Sequence, residues 1–319
     1  MKFNFLVKET FLTLIVLISI HKFTFAVELE EHLNLNYAGT DNTRQELDLV
    51  IPKVKNKTSL PLILFIHGGA WKGGDKRKSL PRVLPYARKG SYAVASIGYR
   101  LSSEAIWPAQ IHDCKAAIRF LKANASEYNI DPNRIGIWGS SAGGHLVSML
   151  GTSAGVEEMD GAIGEYTSTS TKIKCVVNFY GPTNFLLMDD HNLKPGTFSH
   201  NSPQSPESLL IGGPIQENKD KVQTANPISY IDSYDSPILI VHGDKDTLVP
   251  FHQSEILHAA LKKEQVETTM ITVKGAGHGK GFGPDVGKNV ANFFDHHLLG
   301  KKVNWQDHSL TASFKKRKP

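Results

Sequence analysis

Residues 134–150 read RIGIWGSSAGGHLVSML. The first five, Arg134 to Trp138, form a short apolar stretch that predicts a buried strand, and the run through Leu150 has helical character. Between them, Gly139-Ser140-Ser141-Ala142-Gly143 must turn the chain sharply. A side chain at the tip of such an elbow is tolerated only if its flanks carry no bulk, which accounts for Gly139, Ala142, Gly143 and Gly144. Ser141 is thereby presented at the start of a helix, where free N–H groups and the helix dipole favour a developing anion. A turn that merely closes a loop would use similar residues, so the assignment of Ser141 as a nucleophile depends on the rest of the chain.

Three further stretches converge on the same chemistry. His67-Gly68-Gly69-Ala70-Trp71 follows the strongly apolar run Leu60 to Ile66, and two glycines there free backbone N–H groups to face an open site. The amides of Gly69 and Ala70, with that of Ala142, are the candidate oxyanion hole. His67 is expected to hold this loop by hydrogen bonding and not to carry protons. His242-Gly243-Asp244-Lys245-Asp246 follows the apolar run Pro237 to Val241 and offers two carboxylates at a strand's end. Asp244 sits inside the tight turn and is expected to be occupied by local backbone bonds, so Asp246 is the preferred acid. Gly275-Ala276-Gly277-His278-Gly279 follows the alternating run Thr268 to Val273, and a histidine between glycines is easily aimed. Among the fourteen histidines, His145 lies on the same helix as Ser141 and cannot approach its hydroxyl, while His258, His296 and His297 read as helix residues. His278 is the candidate base. The order Ser141, Asp246, His278, each just past a strand, is that of a nucleophile, an acid and a base on an α/β sheet.

The remaining elements predict the scaffold. Strands are expected at 44–51, on an early sheet edge, and at 60–66, 92–98, 134–138, 173–179, 237–241 and 268–273. Helices are expected near 80–89, 111–125, 253–263 and 287–298. This alternation defines an α/β fold with a mostly parallel central sheet and helices on both faces, whose ligands sit beyond the carboxyl ends of the strands. Residues 181–236, rich in Pro, Asn, Ser and Asp, interrupt the rhythm and form a lid-like insertion before the acid-bearing strand. Trp71, Tyr99, Trp107 and Tyr180 are candidates to line the substrate site.

The chain of 319 residues carries a formal net charge of +5, but the cations are gathered at its ends. Residues 1–26 hold Lys2, Lys8 and Lys22 against Glu9, and residues 301–319 hold Lys301, Lys302, Lys315, Lys316, Arg317 and Lys318 against Asp307, leaving a slightly acidic body. A nucleic-acid surface is therefore not expected. Residues 1–26, with the apolar run Phe11 to Ile20, read as a secretory signal peptide, which places the protein outside the cytoplasm, secreted or periplasmic, without stable membrane insertion after cleavage. Residues 27–300 are then a single catalytic domain, and 301–319 a basic tail. The two cysteines, Cys114 and Cys175, both look core-facing; export would permit a bridge, and neither has metal-ligand spacing.

Several longer segments carry a resemblance: HGGAW at 67–71, GYRLS at 98–102, PAQIHDCKAAIRFL at 108–121, DPNRIGIWGSSAGGHL at 131–146, FYGPTNF at 179–185, HGDKDTLVP at 242–250 and GAGHG at 275–279. In these the chain resembles the α/β-hydrolase superfamily, nearest to the BD-FAE-like group of acetylxylan and feruloyl esterases. The resemblance implies hydrolysis of carboxylic esters by Ser141, Asp246 and His278 without metal or organic cofactor, on a small-molecule or polymer-borne ester. HGGAW stands where lipase-like relatives carry HGGG, which tells against a lipid-ester specialisation. An amidase or exopeptidase on the same fold, or a binding protein without catalysis, are the alternatives.

Overall fold

The structure, a computed structural model, describes residues 27–54, 58–193 and 198–314. The signal peptide expected at 1–26 lies outside them, as does the end of the tail. Nine strands make one sheet: β1 Leu29–Asn36, β2 Glu46–Pro52, β3 Leu60–Ile66, β4 Ala93–Ile97, β5 Ile130–Ser140, β6 Cys175–Phe179, β7 Ile238–Gly243, β8 Thr268–Lys274 and β9 His308–Thr311, in the spatial order β1-β2-β4-β3-β5-β6-β7-β8-β9. β2 is antiparallel to both neighbours, and every pairing from β4 to β9 is parallel.

The central strands are apolar throughout because both of their faces are covered. All seven residues of β3 are buried, with Leu62, Leu64 and Ile66 facing one core and Ile63 and Phe65 the other. β7 divides in the same way, Ile238 and Ile240 against Leu239 and Val241. The helices Ala109–Ala123, Ala142–Thr152 and His252–Lys263 cover the first face, through residues such as Ile118, Leu146 and Leu257. The helix Pro284–Leu299 covers the second with Val290 and Phe294. Each fully buried Leu or Ile contributes about 1.5–3 kcal/mol of transfer free energy, so this double-sided core dominates stability. The helix expected at 80–89 is broken into short pieces, Lys76–Ser79, Leu80–Arg82 and Leu84–Arg88. Pro81 and Pro85 each sit at the first turn of a piece, where a missing N–H is harmless but an unbroken helix is not possible.

Two expectations are corrected, and one open question is answered. The strand at 44–51 is not the sheet edge, because β1 pairs outside it; β1 reads LEEHLNLN and has no fully buried residue, Leu29 and Leu35 being only partly covered, by the two different cores. The open question is whether the two cysteines pair: Cys114 and Cys175 are free and core-facing, on opposite faces of the sheet, so no bridge joins them. The segment read as a basic tail from 301 instead adds β9 to the sheet beside β8. Cationic composition hid the short stretch HSLT, which carries no charge of its own apart from a histidine.

Asp307 ties that addition down. Its Oδ1 accepts from the Met270 amide at 2.9 Å, and its Oδ2 receives His258 Nε2 at 3.0 Å and the Lys262 ammonium. Partial burial alone would raise its carboxyl, but hydrogen bonds from Lys262, Met270 and His258 outweigh this and bring it down to about 2. A depressed acid supports the fold above its unfolded-state value near 4 and loses that support as the pH falls through its folded-state value. Asp307→Asn is therefore expected to lower the urea midpoint at neutral pH, with the gap to the parent protein closing between about pH 4 and about pH 2. A gap that stays constant across that range would mean the carboxylate does not stabilise the fold through its charge.

Candidate active site

The elbow anticipated at Ser141 is present. β5 ends at Ser140, the helix begins at Ala142, and Ser141 between them has φ 57° and ψ −124°. A non-glycine residue held there stores about 1–3 kcal/mol of strain, which the surroundings must hold in place. They do so by close packing. Ser141 N donates to Phe179 O on β6 at 2.9 Å, and a Cβ on Gly143 would lie 2.2 Å from Ile66 O. A Cβ on Gly68 would lie 2.6 Å from Ser140 O, so the 67–71 loop rests directly on the elbow.

β7 and β8 deliver the partners. His278 Nε2 lies 3.0 Å from Ser141 Oγ, and its Nδ1 lies 2.7 Å from Asp246 Oδ2. The carboxylate fixes the tautomer: Nδ1–H donates to it, which leaves Nε2 free to accept the serine proton. Asp246 is fully buried and every acceptor site on it is used. Oδ1 accepts the Leu248 and Val249 amides at 2.8 and 2.9 Å, and Oδ2 also receives His242 Nε2 at 3.3 Å. Burial pushes its carboxyl upward, yet the hydrogen bonds from His242 and His278 prevail and hold it well below the usual carboxylate range. The acid is thus ionised at any working pH.

His242, quoted above only as the start of the acid motif, supports the carboxylate from behind. Its Nδ1 accepts from Ser254 Oγ at 2.7 Å, while its Nε2 donates to Val249 O at 3.1 Å as well as to Asp246. It lies four residues before Asp246 at the end of β7, and that i, i+4 spacing across a turn was the available signal. Asp244 is occupied as expected, but by the Gly275 amide of the neighbouring loop at 2.6 Å and not within its own turn.

Gly69, Ala70 and Ala142 gather at the same rim. Ala70 and Ala142 border a cavity of about 170 Å³ with Ser141 and His278, and Gly69 and Ala70 border a wider cleft of about 480 Å³ that also reaches Ser141. As the first residue of its helix, Ala142 has an N–H with no intrahelical acceptor. His67 behaves as a loop support: its Nδ1 lies 2.8 Å from Gly68 O, its ring stacks on Tyr99 at 4.3 Å, and burial pushes it down to about 4, which keeps it neutral.

Of the four aromatic candidates, two reach the site. Trp71 borders the smaller cavity, and Tyr180 borders the wider cleft with its ring 4.7 Å from that of His278. Tyr99 and Trp107 do not line it. The Tyr99 hydroxyl donates to His67 O at 2.9 Å, and the Trp107 indole donates to Thr224 Oγ1 at 3.0 Å, so both are fully buried packing residues. His145 is likewise structural: its Nε2 donates to Ala225 O at 2.7 Å, and burial lowers it to about 4. In the insertion at 181–236, the described residues include several short helical turns, and Pro182, Phe198, His200, Pro206 and Glu207 border the smaller cavity. None of these was anticipated individually, because nothing in an irregular stretch indicates which side chains turn inward. Among the described residues, Glu267, His296 and His297 have ligand atoms within 4.8 Å of one another, but they lie at the amino end of β8, opposite the end that carries His278.

A mostly parallel sheet with a serine elbow and an acid and histidine on later strands defines an α/β-hydrolase. More particularly, the chain belongs to the BD-FAE family, whose model matches residues 47–261. A solved structure described as a truncated form of carbohydrate esterase from gut microbiota is 35% identical, with a TM-score of 0.74 over 86% of this chain and 98% of that one. The probable carboxylic ester hydrolase LipM of Mycobacterium tuberculosis is 30% identical over 61% of this chain and 43% of its own length. Esterase LipC of the same organism is 28% identical over 75% of this chain and 58% of its own. The chain thus spans about half the length of these curated relatives.

Proposed function

We propose that this protein is a secreted serine carboxylesterase working through an acyl-enzyme. His278 takes the proton of Ser141 as Oγ attacks the ester carbonyl, and Asp246 stabilises the imidazolium that results. The amides of Gly69, Ala70 and Ala142 receive the oxyanion, each such donor lowering the barrier by roughly 3–4 kcal/mol. The imidazolium then protonates the departing alcohol, and water activated by the same ring releases the acid.

The observation that carries this reading is the hydrogen-bonded line from Ser141 Oγ through His278 to Asp246, at 3.0 and 2.7 Å, at the meeting point of two cavities. The smaller, mostly apolar cavity suits the acyl half, of acetyl or feruloyl type. The wider cleft, with Lys78 and Arg82 at its margin, suits a bulky polar alcohol, including one borne on a polymer. The likeness to a structure described as a carbohydrate esterase supports the same choice. Export rests on the charged and apolar pattern of residues 1–26; among the described residues, no helix is long and apolar enough to cross a membrane.

Treatment with a fluorophosphonate probe is expected to label the peptide containing Ser141 and to abolish turnover of p-nitrophenyl butyrate. A protein that neither reacts with the probe nor releases p-nitrophenol would instead be a binding protein on a hydrolase scaffold.

A further inference from the structure

His296 and His297 occupy the last turn of the helix Pro284–Leu299, and Glu267 immediately precedes β8, so the three meet at the end of that strand opposite the catalytic rim. The His297 side chain is 7% exposed and its ring centre lies 4.4 Å from that of Phe293, yet its Nε2 is enclosed without a hydrogen-bond partner. Glu267 Oε1 stands 3.6 Å from that nitrogen, too far for a hydrogen bond. His296 is braced separately, with its Nδ1 2.6 Å from Lys301 O. A nitrogen of each imidazole and a carboxylate oxygen of Glu267 lie within 4.8 Å of one another. An enclosed imidazole nitrogen with nothing to bond is uncommon in native interiors, and a bound ion is one of the ordinary explanations for it.

We propose that Glu267, His296 and His297 form a binding site for a divalent transition-metal ion of the Zn²⁺ class, which staples the end of the helix Pro284–Leu299 to the start of β8. Two imidazoles and one carboxylate are a donor set that Zn²⁺ takes, whereas Mg²⁺ and Ca²⁺ prefer oxygen ligands alone. The spacing suits such an ion. Bonds of about 2.0–2.2 Å to a tetrahedral centre put the donor atoms roughly 3.4 Å apart, close to the 3.6 Å between Glu267 and His297. The wider separations close by rotation of Glu267, whose side chain is 53% exposed, and water completes the coordination. The helix contributes as well, because its carboxyl end carries the negative pole of its dipole and favours a cation there. This helix covers the second face of the sheet, and β8 leads into the loop of His278. The ion thus fastens the covering layer to the strand behind the catalytic base without touching substrate, and the inference is independent of the esterase reading.

The test titrates the untagged, chelator-treated protein with Zn²⁺ against a chromophoric competitor and follows its thermal midpoint with and without the ion. One equivalent per chain is expected to bind more tightly than any further Zn²⁺, and the midpoint is expected to rise by several degrees, as it does for a ligand that binds only the folded state. Mg²⁺ should produce neither effect. His297→Gln should weaken the binding by well over about tenfold, since loss of even a group that supports a metal ligand costs about 10- to 100-fold, and it should remove the rise in midpoint. Glu267→Gln, a change at an exposed side chain, should weaken binding by at least about tenfold. A wild-type protein with no such equivalent, or an affinity and midpoint shift that both variants retain, overturns the proposal. Should His297→Gln fail to fold, Glu267→Gln decides alone, and an undiminished affinity in that variant overturns the proposal.

Discussion

Ser141→Ala is expected to lower kcat for p-nitrophenyl butyrate by roughly 10⁴- to 10⁶-fold, the range seen when the nucleophile of a hydrogen-bonded triad is removed. The elbow holds one hydroxyl against the imidazole, and the tight contacts around Gly68 and Gly143 leave no room for another group to swing into its place. The fold should persist. Alanine meets the same backbone strain at φ 57° that serine does, and the lost Oγ–H to Nε2 bond is worth about 1 kcal/mol. The thermal midpoint should therefore move by no more than about 4 °C. Retention of more than about a tenth of the parent rate would move the nucleophile elsewhere.

Asp246→Asn should be nearly as damaging, with a loss of about 10⁴-fold in kcat at neutral pH. The reason lies in the donors around the carboxylate. Oδ1 faces two backbone N–H groups, and Oδ2 faces the imidazole nitrogens of His242 and His278. Asparagine has a single acceptor oxygen, and the two amides claim it. Its NH₂ then points at His278 Nδ1, which must give up its hydrogen to accept. The proton moves to Nε2, and the imidazole can no longer receive one from Ser141. A nitrogen NMR spectrum should show that exchange of tautomers in His278. An Asp246→Asn protein with ordinary turnover would exclude Asp246 from the role given to it.

Ser141, Asp246 and His278 were legible because each sits in a short loop whose glycines and flanking apolar strands state its geometry locally. His242 was not, since a histidine inside an apolar strand reads equally well as core, and only its position behind Asp246 reveals its use. The aromatic candidates divide for a similar reason. Tyr99 follows β4 just as Trp71 follows β3 and Tyr180 follows β6, but hydrogen bonds that no local pattern announces turn it toward His67 and the Trp107 indole toward Thr224. The central strands β3 and β7 are readable from unbroken apolarity, because two covered faces demand it. In the edge strands β1 and β9 no residue is fully buried, and their sequences carry correspondingly little signal. In the insertion, Glu207 and His200 are ordinary polar residues until the chain around them is folded.

The stretch after β9 touches more than the sheet margin. Ala312 N donates to Lys274 O and Ser313 N to Gly281 O, bracing the loop that carries His278 from both sides. The side chains of Ala312 and Phe314 crowd Gly281, and that of Ser313 crowds Gly283. An affinity handle or fusion partner attached at this terminus is consequently not a neutral choice. Strain applied there is expected to reach the loop that carries His278, so a purification tag is more safely placed between the expected signal cleavage point and β1.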